Sequence, residues 1–470
     1  MRERLETKLL HYAGSDAYPL HMPGHKRNPA FLCADALTDI TEISDFDNLH
    51  HPEGILREEM DLAKRLYGTK ETFFSVNGST GALLAAISAA VPRGGRMLIE
   101  RGCHMAVYHA AYLRGAKLFF LGESEPESAD ALVVTSPTYE GCMKDIPAMR
   151  ALADKFGAAL IVDEAHGAHL PFAEKFGFPA SAIRGGADLV IQSVHKTMPG
   201  MTQTALLHNV TGRIKNEDIA RFLDIYETSS PSYVLMGSIT HVLHMMEDRG
   251  EALMGAYAER IRNVRAFLST SLHNLALAGG EKAVLVGDTE LMPYRRGTVM
   301  DPGKLVIKSG RMRGERLFAI LRDNYGLECE MKAPGYVLAM TSVADTDEGL
   351  MRLVTALREI DENYDFFAGD EREPEAPPVY ESGDKAGNGG AVDIAAALDG
   401  PKERVPLRGA AGRRAAGFVV LYPPDVPVAV PGELFTHEKL IHIFRWMDCG
   451  YDVMGVENGM VCVEKKEENS

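Results

Sequence analysis

Between about residues 70 and 210 the chain alternates short apolar runs with helical stretches, and this alternation restricts the fold more than any other feature. The runs are Arg96–Glu100, Lys117–Leu121, Ala131–Thr135, Ala158–Asp163, Asp188–Ser193 and Thr204–His208. Each is rich in Val, Ile, Leu or Phe and gives way to a polar loop. Uninterrupted apolar runs suit strands buried on both faces, which predicts a mostly parallel α/β sheet covered by helices. Right-handed crossovers would then gather the strand ends on one edge, where open α/β sheets bind ligands.

At 470 residues the chain exceeds one average domain of about 100–200 residues. Residues 1–65, rich in His, Pro and Asp and weak in periodicity, read as an N-terminal arm. Residues 66–275 form the large domain and 276–368 a smaller α/β domain. In the latter, Lys304–Lys308 and Gly335–Thr341 read as strands, and Gly314–Asn324 and Glu348–Ile360 as helices. The acidic, Pro- and Gly-rich stretch 369–392 is a linker, and 393–470 a compact C-terminal domain.

Acidic residues outnumber basic ones by 66 to 50, a formal charge of −16, so nucleic acid and anionic membranes are not expected partners. Cys33, Cys103, Cys142, Cys329, Cys449 and Cys462 are scattered without a C-x-x-C pair, which suggests neither a disulfide framework nor a zinc ribbon. The charged N-terminus lacks the apolar core of a signal peptide, and the most apolar stretch, Gly81–Val91, is too short to span a bilayer. A cytoplasmic protein is expected.

Three motifs carry chemistry. Asn77-Gly78-Ser79-Thr80-Gly81 precedes an Ala-rich helix, so backbone N–H groups, hydroxyls and the positive helix end can face a phosphate. No Lys follows, so this is not a Walker A loop, and alone it also reads as a Ser/Thr N-cap. Asp163, in A-L-I-V-D-E-A-H-G-A-H, ends an apolar strand, where a carboxylate needs a cation or serves as a helix N-cap. His166 and His169 beside it raise a metal reading, which the absence of a third ligand disfavours. Lys196, in S-V-H-K-T, follows another strand end among Ser193, His195 and Thr197, where partial desolvation would make an amine nucleophilic. Taken together, the three supply what pyridoxal phosphate needs: a seat for its phosphate, a carboxylate for its ring nitrogen and an amine for its aldehyde. Their order resembles that of the aspartate-aminotransferase-like fold (fold type I). His104, after the Met97–Glu100 run, is placed to stack on the cofactor ring or to serve as an ordinary loop histidine.

H-M-P-G-H-K (21–26), D-N-L-H-H-P-E-G-I-L (47–56), T-S-P-T-Y-E-G (135–141), D-E-A-H-G-A-H (163–169), S-V-H-K-T (193–197), S-S-P-S-Y (229–233) and V-L-Y-P-P-D-V-P-V-A-V-P-G-E (420–433) resemble the Orn/Lys/Arg decarboxylase family along nearly the whole chain. Asp425 departs from the family's Pro-Pro-Gly. The resemblance implies a short form without an N-terminal wing domain, decarboxylating arginine or lysine, or else ornithine, to an amine within polyamine biosynthesis. It implies Lys196 as the Schiff-base lysine and Asp163 as partner of the ring nitrogen. Ser79, Thr80, Ser193 and His195 would lie at the phosphate, and His104 and His166 along the ring. It also implies a homodimer or a higher dimer-based oligomer, in which Ser229 and Ser230 would reach the partner's phosphate.

A cationic substrate needs a carboxylate at the far end of its pocket, and Glu433 is the candidate, a surface salt bridge being its other reading. Two rival functions remain. A transaminase or β-eliminating lyase would keep the cofactor, and a transaminase would use Arg311 or Arg313 for the substrate carboxylate. A non-catalytic binding homologue would have no reason to keep Lys196, Asp163 and the phosphate seat.

Overall fold

The computed structural model describes residues 4–15, 37–279, 299–370, 390–422, 426–448 and 450–466. The motif at 21–26, nearly all of the expected linker and the departure at Asp425 lie outside the described residues. The chain divides into two compact units. The first comprises Met1–Ala90, Asp145–Ala151 and Ala159–Gly255; the second comprises Val91–Lys144, Leu152–Ala158 and Ala256–Ser470.

In the first unit, Glu71–Ser75, Ala205–Asn209, Leu189–Ser193 and Ala159–Asp163 lie side by side in that order. The last three are buried at every position, which explains their uninterrupted apolar sequences. Ala159–Asp163 and Leu189–Ser193 are parallel. Ala205–Asn209 runs antiparallel to both of its neighbours, Glu71–Ser75 and Leu189–Ser193. This is the exception to the parallel pattern, and chain length explains it. A parallel crossover usually runs back along a helix, and the segment after Ser193 holds only the four-residue helix Val194–Thr197, too short to return along the strand.

Elements not foreseen include the strand Glu71–Ser75 and, inside the segment expected to be an arm, the helices Leu5–Ala13 and Ile55–Tyr67. The helix Ile55–Tyr67 buries Leu56, Met60, Ala63 and Tyr67 on one face and ends at Gly68, whose φ of 71° suits glycine. Its start is held by Asp47, whose carboxylate accepts the backbone N–H groups of Asn48, Glu53, Gly54 and Leu56 at 2.8–3.1 Å.

In the second unit, Ala131–Thr135, Arg96–Ile99 and Lys117–Phe120 are parallel neighbours, with Val392–Asp393 added antiparallel at the edge. Separately, Met331–Ala333, Tyr336–Met340, Lys304–Lys308 and Ala276–Leu277 form an antiparallel sheet, accompanied by the helices Gly314–Tyr325 and Asp347–Glu362. Toward the C-terminus, Val419–Tyr422 lies between Val426–Ala429 and Asp452–Met454. Val419, Phe435, Ile443, Trp446 and Val461 belong to a core there, to which the helix His437–Asp448 contributes. No described helix is long and apolar enough to cross a membrane.

The helix Tyr233–Ser271 is 39 residues long, and the chain leaving it is fixed by one buried carboxylate. Asp361 accepts the N–H groups of His273, Asn274 and Leu275 at 2.7–2.9 Å. Removing the acceptor strands three donors, each worth about 1–3 kcal/mol when buried, with partial relief from water. Asp361→Ala should therefore lose about 2–4 kcal/mol of stability in urea unfolding, and Asp361→Asn less. An unchanged midpoint for the alanine variant would refute this account of the helix end.

Candidate active site

Since Ala205–Asn209 opposes both Glu71–Ser75 and Leu189–Ser193, those two strands run the same way, and Ala159–Asp163 runs with them. The carboxyl ends Ser75, Asp163 and Ser193 therefore share one edge of the first unit. After Ser75 the chain turns through Gly78, at φ 71°, into the helix Gly78–Ala90. A Cβ on Gly78 would meet nothing within 4 Å, so the left-handed conformation, and no crowding, is what asks for glycine. Ser79 is half-buried and Thr80 exposed, both in the first turn of this helix, where the dipole is positive.

Asp163 is 3% exposed, and its Oδ1 accepts the N–H of Ala165 at 3.1 Å. That is a local turn and not the helix cap read as its alternative, since the next helix, Leu170–Ala173, is preceded by His169. Ser193 is fully buried, and its Oγ has no hydrogen-bond partner, an orphan at the strand end. The short helix Val194–Thr197 follows at once and carries Lys196, whose Nζ lies 3.2 Å from His166 Nε2. The tautomer of His166 decides whether its Nε2 accepts from this amine or donates to it. His195 Nδ1 donates to Thr204 O at 3.0 Å, and burial pushes its pKa down, so the ring is neutral. His169 is buried edge-on against Phe178. Among the described residues, the group with metal-binding geometry is Glu6, Glu59 and His244, which includes neither His166 nor His169.

Sequence reasoning passed over Glu164. Its carboxylate is fully buried and accepts from Ala182 N at 2.7 Å and from Ser181 Oγ and Gln192 Nε2 at 2.6 Å each. His208 Nε2 donates to Gln192 Oε1 at 3.2 Å, and its Nδ1 accepts from Thr72 Oγ1 at 2.9 Å. Burial lowers the His208 pKa to about 3, which fixes this neutral form. Burial, with some help from the Asp163 charge, raises Glu164 to about 7. The only signal in the sequence was the adjacent pair Asp163-Glu164.

His104 and Glu433 belong to the second unit. His104 caps the helix Met105–Arg114, its Nδ1 accepting the N–H of Ala106 at 3.1 Å, which puts the ring proton on Nε2. Glu433, expected at the far end of a substrate pocket, lies in a buried cluster of ion pairs. Only 1% exposed, it accepts from Arg101 Nη2 at 2.7 Å, Lys439 Nζ at 2.9 Å and Val430 N at 3.0 Å. Burial works to raise its pKa, but Lys439 and Arg101 outweigh that and hold it below the usual carboxylate range. The ion pair foreseen as the alternative exists, buried and shared between two cations. Arg311 donates to Gly369 O and pairs with Asp365, and Arg313 lies 3.4 Å from Glu315. Ser229 and Ser230 are exposed.

The chain matches the Orn/Lys/Arg decarboxylase major domain over residues 4–127 and 121–298, and the Orn/Lys/Arg decarboxylase C-terminal domain over residues 392–454. It belongs to the Orn/Lys/Arg decarboxylase family. This decarboxylase is 29% identical to the arginine decarboxylase of Bacillus subtilis (strain 168), over 97% of this chain and 95% of the relative. It is 23% identical to the lysine decarboxylase LdcA of Pseudomonas aeruginosa, over 91% and 73% of the two chains. The Francisella novicida lysine decarboxylase LdcF superposes with a TM-score of 0.78, covering 98% of this chain and 80% of that one at 17% identity, which shows the shared fold. The aspartate-aminotransferase-like expectation for this decarboxylase holds with it.

Glu164 makes the stability of the decarboxylase depend on pH. Its folded pKa, about 7, lies above the ordinary 4.5, so the folded state keeps a proton that the unfolded chain has released. Stability attributable to it therefore falls as pH rises from about 4.5 through about 7, by on the order of 3 kcal/mol in all. Urea midpoints at pH 5, 6, 7 and 8 should drop for the unaltered protein relative to Glu164→Gln, and the gap should level off above 7. Parallel profiles would remove the assignment.

Proposed function

We propose that the protein decarboxylates arginine or lysine, with ornithine as a third candidate, using pyridoxal phosphate. The observation that carries this is Lys196, at the end of Leu189–Ser193, on the same strand-end edge as buried Asp163 and the start of the helix Gly78–Ala90. The residues present fit the cofactor. The orphan Ser193 Oγ is a buried donor awaiting an acceptor, as a phosphate oxygen is. The helix start adds N–H groups and the Ser79 and Thr80 hydroxyls. Asp163 is a buried anion suited to a protonated ring nitrogen.

When bound, pyridoxal phosphate supplies the electron sink that lets a carboxylate leave as CO2. The chain's own residues do the rest. Lys196 would hold the cofactor through its aldehyde. Asp163 would pair with the ring nitrogen. Ser79, Thr80, Ser193 and neutral His195 would hold the phosphate and so orient the cofactor. His166, in contact with Lys196 Nζ, takes up and returns its proton. His104, by the family resemblance, lies against the cofactor ring. A homodimer in the cytoplasm, with Ser229 and Ser230 at the partner's phosphate and an amine product entering polyamine biosynthesis, completes the reading.

The purified protein should be yellow, and borohydride should fix the cofactor on Lys196. Lys196→Ala should lose turnover altogether. CO2 release and amine identification with arginine, lysine and ornithine in parallel select the substrate, while keto-acid formation in place of CO2 would overturn decarboxylation. His166→Asn should keep the colour and lose about 10²–10⁴ in kcat, with a changed pH profile. An unaltered kcat would remove His166 from the proton path.

A further inference from the structure

Behind the turn that opens the helix Gly78–Ala90 lies a second buried carboxyl group, Glu227, which the proposed reaction does not use. It follows the helix Asn216–Tyr226 and is 8% exposed. Its Oε1 accepts from the hydroxyl of Ser75 and, at 3.5 Å, from the N–H of Asn77; its Oε2 accepts from the N–H of Val76 at 3.3 Å. Three successive residues leaving the strand are thus tied to one carboxylate. Next to it, Tyr226 O accepts from Asn77 Nδ2 at 2.7 Å. A Cβ on Gly81 would press on Asn77 at 3.0 Å while meeting Glu227 Oε1 only at an ordinary 3.6 Å.

On the far side, His50 holds the same corner, its Nε2 donating to Thr228 O at 3.0 Å and its Nδ1 paired with Asp224 at 2.9 Å. Ser230 N donates to Thr228 Oγ1 at 3.2 Å. Glu227 therefore stands between the turn that leads to Ser79 and Thr80 and the segment Thr228–Ser230.

We propose that Glu227 is a positioning residue for the phosphate of the cofactor, holding the Ser75–Asn77 turn so that the Ser79 and Thr80 donors are set before the phosphate arrives. This rests on the pyridoxal phosphate reading above. Two effects of the carboxylate oppose each other. Its charge disfavours a second anion nearby, and its hydrogen bonds preorganise the turn that receives that anion. Burial pushes the Glu227 pKa up against the pull of its three donors, so the charge a second anion would meet is blunted and preorganisation dominates.

The test uses full-length protein freed of cofactor, titrated with pyridoxal phosphate and, separately, with pyridoxal, which has the aldehyde and ring without the phosphate. Absorbance reports binding of each at Lys196. Glu227→Ala should raise the dissociation constant for pyridoxal phosphate at least tenfold while that for pyridoxal moves less than twofold. A general structural defect would weaken both, and an irrelevant residue neither; either result overturns the proposal. If Glu227→Ala does not fold, Ser75→Ala decides in its place, with a loss of at least threefold confined to pyridoxal phosphate as the supporting result and any other as the refuting one. Equal affinity of the unaltered protein for both ligands would overturn the cofactor reading, and the inference with it. Tight phosphate-dependent binding that survives Glu227→Ala overturns the inference alone.

Discussion

The strand Ala205–Asn209 is the constraint on which the candidate site depends. It is hydrogen-bonded on both sides and antiparallel on both, so its neighbours must run the same way. The register places Ala205 opposite Ser75 on one side and Ser193 on the other, so the two strands finish level. With adjacent strands spaced about 4.8 Å apart, the two ends lie about 10 Å from each other. Ala159–Asp163 adds in parallel, with Asp163 opposite Ile191. The residue just before the shared strand, Thr204, accepts through its carbonyl from Val194 N and His195 Nδ1, both at 3.0 Å. The helical turn carrying Lys196 is thereby pinned to the same strand that levels the sheet edge.

Burying both faces of these strands leaves no water for polar side chains, so those present must satisfy one another. Successive side chains in a strand point to opposite faces. Gln192 and Ser193 are such neighbours, and the chain uses the alternation. Ser193 keeps an unpartnered hydroxyl at the edge, while Gln192 joins Glu164, His208 and Thr72 in a closed set of hydrogen bonds. Tyr67 packs over His208, with ring centroids 4.5 Å apart, which ties the helix Ile55–Tyr67 to the same set. The ligand-facing groups are left incomplete and their supports are complete, the arrangement expected of a preorganised site.

What the sequence discloses follows from how local each cause is. Two-sided burial writes itself into Ala159–Asp163 and Leu189–Ser193 as unbroken apolar runs, and those strands are where they were expected, within a residue. The chemistry at their ends is equally local: Asp163, Ser193 and Lys196 stand at or just beyond a run. Glu71–Ser75 was missed because E-T-F-F-S is short, polar at both ends, and paired through Ala205–Asn209 far along the chain. The helix Ile55–Tyr67 carried a readable period, hidden by the irregular His- and Pro-rich stretch before it. His104 as a cap defeats propensity, since histidine is not among the preferred N-cap residues. The pairing of Glu433 with Arg101 was not legible, because the two lie 332 positions apart.

The fate of Glu433 bears on how such a site distinguishes reactions. Glu433 carries Arg101 and Lys439 on one oxygen and Val430 N on the other and is 1% exposed, so its charge is spent largely inside the protein. Similar reasoning applies to the substrate's α-carboxylate. Arg311, which a transaminase would turn toward that group, donates to Gly369 O, pairs with Asp365 and lies over the Tyr364 ring. Gripping the α-carboxylate firmly would stabilise the ground state of the group that has to depart, and binding spent on the ground state does not lower the barrier. A decarboxylase gains from leaving that carboxylate loosely held, and an Arg311 engaged elsewhere in its own unit is consistent with that demand.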